Sequence, residues 1–393
     1  MTSSQRRTAR LPAGRLERAV QRLWIAALVA WGVTWGAAHV AKAGGSWHFF
    51  TSGTRILFDP DGAIGGLHLY AAHPELQIGP LAFLIAEPFA VLPGRSSAWA
   101  AGAVMLGCGG VILAATRSLS RCAGRGLPWS FWWGALLFLP VWAELSMQSG
   151  HLDDVLALTF GVLGLWAVSR DRPILAALAV AAAADSKPWA FGFCALLLAL
   201  PARRWLLAGA VWLAGIAVAW APFFLADPRT IGAFHYQIHN SAASALRALG
   251  VTSARTPTWC RSAQLGAGTV LAALVALRRA PAAVLMMVVG VRLLLDPGTH
   301  TYYDAGLVTA TLLVDVLLLR RTVPWLTIGA VALVFLPQSL YLFTAAVNGQ
   351  LRAGFLIIAL AVALITSLAP RREYAPRTLV APGRAAADAV HAG

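Results

Sequence analysis

Apolar stretches close to the length of a bilayer crossing recur along the chain, separated by short polar breaks that carry arginine. About 20 apolar residues span the hydrocarbon core as a helix, because only an internally hydrogen-bonded segment satisfies its backbone in lipid. That pattern predicts crossings at 22–42, 97–116, 128–147, 153–169, 173–187, 188–202, 204–225, 263–279, 281–296, 301–320, 323–342 and 351–369. The expected fold is an all-α polytopic membrane protein with about 12 transmembrane helices. The stretch 78–92 is apolar but short, and it carries Pro80, Glu87 and Pro88, which suits an interfacial or re-entrant piece better than a crossing.

Charge fixes the expected orientation. With 78–92 kept out of the count, Arg6/Arg7/Arg10/Arg15, Arg117/Arg121/Arg125, Arg170/Arg172, Arg203/Arg204, Arg278/Arg279, Arg320/Arg321 and Arg371/Arg372/Arg377 all fall on one side. The positive-inside rule makes that side the cytoplasm, with both termini on it. The expected organisation is a basic cytoplasmic N-terminus (1–21), a single transmembrane domain (22–369) and a disordered cytoplasmic tail (370–393). Within the domain lie a long first extracytoplasmic loop (43–96), which includes the interfacial piece, and a second large one (226–262). A signal peptide competes for the start, since Ala41-Lys42-Ala43 follows an Arg-rich and then an apolar run. The apolar run exceeds the usual length of about 7–15 residues and a multispan body follows, so a retained first helix is expected. No internal repeat is recognisable.

Composition agrees: of 393 residues, 59% are hydrophobic and 12% charged, and mean hydropathy is +0.69. A single soluble domain is excluded. The formal charge of +15 comes from 31 Lys+Arg, all but two of them Arg, against 16 Asp+Glu. Because the bases sit in short clusters between apolar runs, they report orientation, and no nucleic-acid partner is expected. Cys108, Cys122, Cys194 and Cys260 have no metal-ligand spacing, so neither a disulfide framework nor a zinc site is expected.

Chemistry collects on the other face. Asp59, Asp61, Glu75, Glu87, Glu144, Asp153, Asp154, Asp185, Asp227, Asp296 and Asp304, eleven of the sixteen carboxylates, fall in outer loops or at outer helix ends. So do His39, His48, His68, His73, His151, His235, His239 and His300, and both lysines, Lys42 and Lys187. Four segments stand out. Ser46 to Pro80 is rich in aromatics, Gly, His and acids, and either binds a ligand or caps the membrane interface. Gln148-Ser-Gly-His151-Leu-Asp153-Asp154 puts two carboxylates and an imidazole at the membrane edge, as a catalytic or cation-binding group or as an acid-capped helix start. Ala184-Asp185-Ser186-Lys187-Pro188-Trp189 places a cation on the side that disfavours it, so Lys187 needs a partner such as Asp185 or an anionic ligand such as phosphate. Asp296 to Asp304 offers His300, Tyr302 and Tyr303 as hydrogen-bond donors or interface anchors. The loop between Asp227 and Arg261 adds His235 and His239.

These segments together resemble a known pattern. A basic start, one span and a long outer loop precede Gly150-His-Leu-Asp-Asp154, Lys187-Pro-Trp-Ala190 and Tyr302-Tyr303 at rim turns. The chain is similar to the GT-C membrane glycosyltransferases, specifically actinobacterial enzymes of glycosyltransferase family 87 (DUF2029 type). The resemblance covers about residues 20–369, and its more specific part is Leu67-His-Leu-Tyr70 through Pro74-Glu-Leu-Gln-Ile-Gly-Pro80, followed by Ala86-Glu-Pro-Phe-Ala-Val-Leu-Pro93. It implies an inverting transferase that moves a sugar, typically mannose, from a polyprenyl-phosphate donor to a cell-envelope glycolipid or glycan at the outer face of a bacterial cytoplasmic membrane. The family's usual catalytic Asp lies early in the first loop, where this chain has Ser46-Trp47-His48. The base is therefore sought in Asp59 or Asp61, with His48, Asp153 and Asp154 as alternatives. Lys187 and His300 would hold the donor phosphate and Tyr302 and Tyr303 orient it. His151, Tyr70, His73, Glu75, Gln77, His235 and His239 are the expected substrate-binding residues. A divalent cation at Asp153/Asp154 is allowed, without a complete ligand set. The competing classes are a transporter or flippase for a lipid-linked or anionic solute, and a non-catalytic membrane subunit.

Overall fold

A computed structural model of the chain describes residues 13–59, 65–122 and 127–369. The expectations for Asp61, for the first twelve residues and for the tail 370–393 fall outside them. Among the described residues the fold is helical throughout, without a named strand, as the sequence predicts. The helices are α1 (Ala13–His39), α2 (Trp47–Leu57), α3 (Leu69–Ala72), α4 (Pro80–Ala90), α5 (Arg95–Cys122), α6 (Trp129–Ala143), α7 (Leu152–Ser169) and α8 (Pro173–Ser186). They continue with α9 (Trp205–Ala226), α10 (Ala245–Ala248), α11 (Cys260–Leu277), α12 (Val284–Leu294), α13 (Asp304–Leu313), α14 (Trp325–Ala330), α15 (Leu336–Ser339) and α16 (Ala345–Leu368).

Among the described residues, seven helical stretches are long and apolar enough to cross a membrane: Ala19–Lys42, Arg95–Arg121, Leu152–Ser169, Ala202–Ala226, Cys260–Leu277, Thr301–Leu319 and Ala345–Leu368. Each coincides with a predicted crossing. Shorter apolar helices occupy Pro173–Ser186, Pro188–Ala199, Pro281–Leu294 and Trp325–Ser339. The sequence expects regular α-helix at 188–202, but Pro188–Ala199 is a tighter three-residue-per-turn helix. Pro80–Ala90 is a further short apolar helix, and its neighbours include α2, α5, α7 and α8. It packs under α2, with Phe83 fully buried against Gly53 and its carbonyl accepting from Thr54 Oγ1 at 3.1 Å.

Side-chain size sets the layers. The centre holds α7 and α13, buried on nearly every face, while α9 shows Leu206, Val218 and Leu225 to the outside. Helices in lipid associate by close packing of small residues, since apolar area alone favours no partner. Gly161 and Gly164 of α7 provide it: a Cβ at Gly164 would meet Val180 of α8 at 2.8 Å, and one at Gly161 would meet Phe193 at 2.7 Å.

The bundle has two chemically different ends. Asp153 and Asp154 sit in the first turn of α7, and Arg170 follows its last turn, about 27 Å away at 1.5 Å per residue. At that far end Arg170 donates to Ser118 Oγ of α5 at 2.9 Å, and Arg204 pairs with Asp171 at 2.7 Å. The predicted separation of an arginine-rich end from an acid- and histidine-rich end is thus present.

Candidate functional site

The acid-rich end is built by backbone devices. Pro140 inside α6 lacks an N–H, and the Trp31 indole donates to the Leu136 carbonyl at 3.0 Å. Beyond α6 the chain widens into a π-type turn over Glu144–Ser149 and stops at Gly150, whose φ of +65° suits glycine. The amides of Gly44, Gly45 and Ser46 donate to the carbonyls of Met147, Gln148 and Ser149 at 3.0, 2.9 and 2.7 Å. The start of the loop that follows α1 is thereby stitched to the approach to α7. A second stitch joins its far side, where the Gly79 amide donates to Ser186 O at 2.9 Å. A Cβ on Gly79 would lie 2.0 Å from the Asp185 carbonyl, so only glycine permits this approach. The Pro74–Pro80 segment and Lys187 are neighbours for that reason.

Ionic side chains from four elements meet there. The Lys187 ammonium contacts Asp153 Oδ2 directly and lies 3.7 Å from Asp154 Oδ2. His151 Nδ1 stands 3.0 Å from Asp153 Oδ1 and 3.4 Å from Asp154 Oδ2. Trp189 Nε1 donates to Asp154 Oδ1 at 3.0 Å. Arg292, from α12, lies 3.7 Å from Asp154 Oδ1 and 3.4 Å from Asp296 Oδ2, its guanidinium over the rings of Trp189 and Tyr303 at 4.7 and 4.3 Å. The imidazole of His151 stacks on Tyr302 with centroids 3.9 Å apart. Asp153 has no exposed surface, and Asp154, Asp296 and Arg292 are buried. Such burial is tolerable only because every charge has an opposite neighbour. A second buried pair, Arg352 of α16 with Asp304 at 3.0 Å, anchors the first turn of α13.

Beside the cluster lies a cavity of about 350 Å³, lined among others by Tyr70, Gln77, Lys187, Trp189, Arg261, Arg292 and Tyr303. Arg261, at the start of α11, donates through Nη2 to Gln77 Oε1 at 2.8 Å and to Tyr236 O at 3.0 Å. Its Nε is buried without a hydrogen-bond partner, and no carboxylate lies within 4 Å of it among the described residues. The cavity therefore offers a guanidinium with no carboxylate in direct contact, two further cations held in ion pairs, and aromatic walls. That is the chemistry of a site for an anion carrying a ring.

The sequence-predicted residues divide accordingly. Lys187, Tyr303, Tyr70, Gln77 and His235 line the cavity. His151, Asp153, Asp154 and Tyr302 form the charged wall behind it, so the two carboxylates serve Lys187, Arg292 and Trp189. Asp59 and His48 are exposed at α2, and neither lines the cavity. His300 is exposed and stacks on Tyr302 at 5.0 Å, also outside the lining. His73 bonds Glu75 at 3.2 Å, and His239 bridges to Arg255 in the second loop. Sequence reasoning missed Arg261, Arg292 and the contribution of Asp296 to the lining. The signal for the two arginines is the one that marked Lys187: a lone cation at the outer end of an apolar segment, against the positive-inside bias.

His151, Asp153 and Asp154 present ligand atoms within 4.8 Å of one another, close enough to share an ion. The residues do not fit one, because Lys187 already contacts both carboxylates and a divalent cation would have to displace its ammonium. Outside the cluster, the 43–96 and 226–262 loops are joined by Asp227, which accepts from the Arg229 side chain and amide and lies 3.4 Å from His68 Nδ1. The Arg229 bonds hold the Asp227 carboxyl well below the usual carboxylate range. Compared with known protein families, curated proteins and solved structures, the chain has no match.

Proposed function

We propose that the chain is an integral membrane glycosyltransferase of GT-C type, with twelve crossings and cytoplasmic termini. It moves a sugar, mannose in the first instance, from a polyprenyl-phosphate donor to a glycolipid or glycan acceptor at the extracytoplasmic face. The observation that carries this reading is Arg261, an unpaired guanidinium in a cavity walled by Lys187, Arg292, Trp189 and Tyr303 at the acid-rich end of the bundle. A phosphate bound there meets cations already fixed by other contacts, so the charge that develops as the phosphate leaves is stabilised without reorganisation. With the orientation expected from the arginine pairs between apolar runs, this end faces away from the cytoplasm, where nucleotide sugars are made, so a lipid-linked donor follows.

In the proposed step the acceptor oxygen attacks the anomeric carbon, the bond from that carbon to the phosphate oxygen breaks, and the phosphate departs with the electron pair. A carboxylate takes the acceptor proton. Asp296 lines the cavity and is the first candidate for that base; of the two loop acids named from the sequence, Asp59 lies outside the lining and Asp61 outside the described residues. Arg261, Arg292 and Lys187 hold the phosphate, and Gln77 orients Arg261. The competing reading, a transporter of a lipid-linked anion, draws on the buried Arg352–Asp304 pair within the helical interior.

The test is a proteoliposome assay with polyprenyl-phosphate mannose and labelled acceptor glycolipids. Release of polyprenyl phosphate coupled to glycolipid labelling, lost in Arg261→Gln, is the expected result. Donor translocation without transfer would replace this reading with the transporter. Wild-type transfer in Asp59→Asn, Asp61→Asn and Asp296→Asn, each shown to be folded, would overturn the assignment of the base.

A further inference from the structure

The arginine-rich end carries a feature that the proposed transferase chemistry does not use. Between α1, α5 and α6 runs an apolar groove of about 530 Å³, floored by Gly32, Ala103, Gly107, Gly110 and Ala114. Its mouth is cationic. Arg117 lines the groove, its Nε buried without a hydrogen-bond partner, and Arg117 and Arg121 both donate to Gln21 Oε1, at 3.1 and 2.7 Å. Neither arginine has a carboxylate within 4 Å among residues 19–59, 65–121 and 127–369. The same end holds an aromatic cluster in which Trp24 packs against Trp129, Trp132 and Trp133 with centroids 5.6–6.1 Å apart. Tryptophan gathers at the headgroup level of a bilayer, so the groove opens where lipid phosphates lie and runs from there into the hydrocarbon.

We propose that this groove is a binding site for an anionic phospholipid, with the phosphate on Arg117 and Arg121 and one acyl chain along the glycine floor. The charge selects the lipid class: a headgroup with net negative charge neutralises the two guanidinium groups, whereas a zwitterionic headgroup brings its own cation beside them. The floor selects a chain over a side chain of this protein. A Cβ placed on Gly107 or Gly110 meets nothing within 4 Å, so the space above these glycines is open to an occupant from the bilayer. The site is independent of the transferase reading, because it lies at the opposite end of the bundle from Lys187 and Arg261.

The experiment is native mass spectrometry of the full chain in mild detergent, with phosphatidylglycerol and phosphatidylcholine of identical acyl chains as probes. The wild type is expected to retain phosphatidylglycerol preferentially. The double variant Arg117→Gln/Arg121→Gln is expected to lose about 30-fold of that retention, from roughly tenfold or less per surface cation. Gly110→Leu puts a side chain into the groove from a position whose Cβ meets nothing within 4 Å, and is expected to weaken retention while leaving both arginines in place. Equal retention of the two lipids overturns the headgroup assignment. Full retention in Gly110→Leu overturns the acyl groove, leaving only surface attraction. A wild-type dimer that Gly110→Leu converts to monomer, with lipid retention unchanged, replaces the lipid with a second copy of the chain.

Discussion

Removal of the Lys187 charge tests the physical account of the buried cluster. Asp153 is fully buried and accepts from the Asp154 amide at 2.8 Å in addition to Lys187 and His151. With Lys187→Met, Asp153 keeps one imidazole and one amide but no permanent cation within 4 Å, since Arg292 reaches only Asp154 and Asp296. Two charges about 4 Å apart at an effective dielectric near 20 attract by about 4 kcal/mol, and breaking one side of a buried pair costs about 3–5 kcal/mol. Lys187→Met is therefore expected to destabilise the protein by about 3–5 kcal/mol, read from denaturant titration in mixed micelles. Asp153→Leu is expected to cost a similar amount, by leaving the ammonium buried. The double variant Lys187→Met/Asp153→Leu removes both charges, and its loss is expected to fall short of the sum by about 2–3 kcal/mol. If the single costs add within about 0.5 kcal/mol, the two groups are not coupled, and the cluster described here is wrong.

Other measurements probe the surroundings. Gly79→Ala forces a methyl group into the Asp185 carbonyl and is expected to cost at least about 2 kcal/mol in the same titration, with first-loop proteolysis accelerated; an unchanged digestion pattern would refute the stitch. Arg261→Gln leaves no buried charge without a partner, so it is expected to weaken binding of a polyprenyl phosphate by about tenfold or more while shifting stability by under about 1 kcal/mol; the reverse pattern would make Arg261 structural. Because Arg229 holds Asp227 below the ordinary range near 3.9, its stabilisation of the loop junction is fully present above about pH 4 and lost only as pH falls through the depressed value. Cross-linking of cysteines placed in the 66–68 and 228–230 segments is therefore expected to be unchanged between pH 7 and pH 5; loss in that window would contradict the clamp. Chelation with EDTA is expected to leave both stability and donor binding unchanged, whereas a loss restored by a divalent cation would put an ion in place of Lys187 at Asp153 and Asp154.

Much of the bundle is legible in the chain because the signal is local. The apolar segments follow from the length needed to cross lipid, and the two ends follow from where arginine and acids interrupt them. Exclusion of 78–92 from the crossings rested on Pro80, Glu87 and Pro88, and the segment forms an 11-residue helix, Pro80–Ala90, packed against α2. Lys187 was recognisable as needing a partner, but Asp185 next to it was the natural candidate. The ammonium instead reaches Asp153, 34 residues away, because α7 packs closely on α8 through Gly164, facing Ala179 and Val180, and on the 188–199 helix through Gly161, facing Phe193.

The remaining features of the site depend on which helix ends come together in space. Arg292 and Arg261 look in the sequence like isolated interruptions of apolar runs, and nothing local says that one stacks between Trp189 and Tyr303 while the other bonds Gln77 across 184 residues. His48, prominent in the sequence as a loop imidazole, lies exposed on α2, and Asp59, the loop acid, lies exposed just beyond its end, both outside the cavity lining. Hydropathy is a sum over neighbours along the chain and so determines segment number, length and polarity. Charge pairing is a property of distances between segments, fixed by helix contacts that small residues allow or forbid, and no sum along the chain contains it.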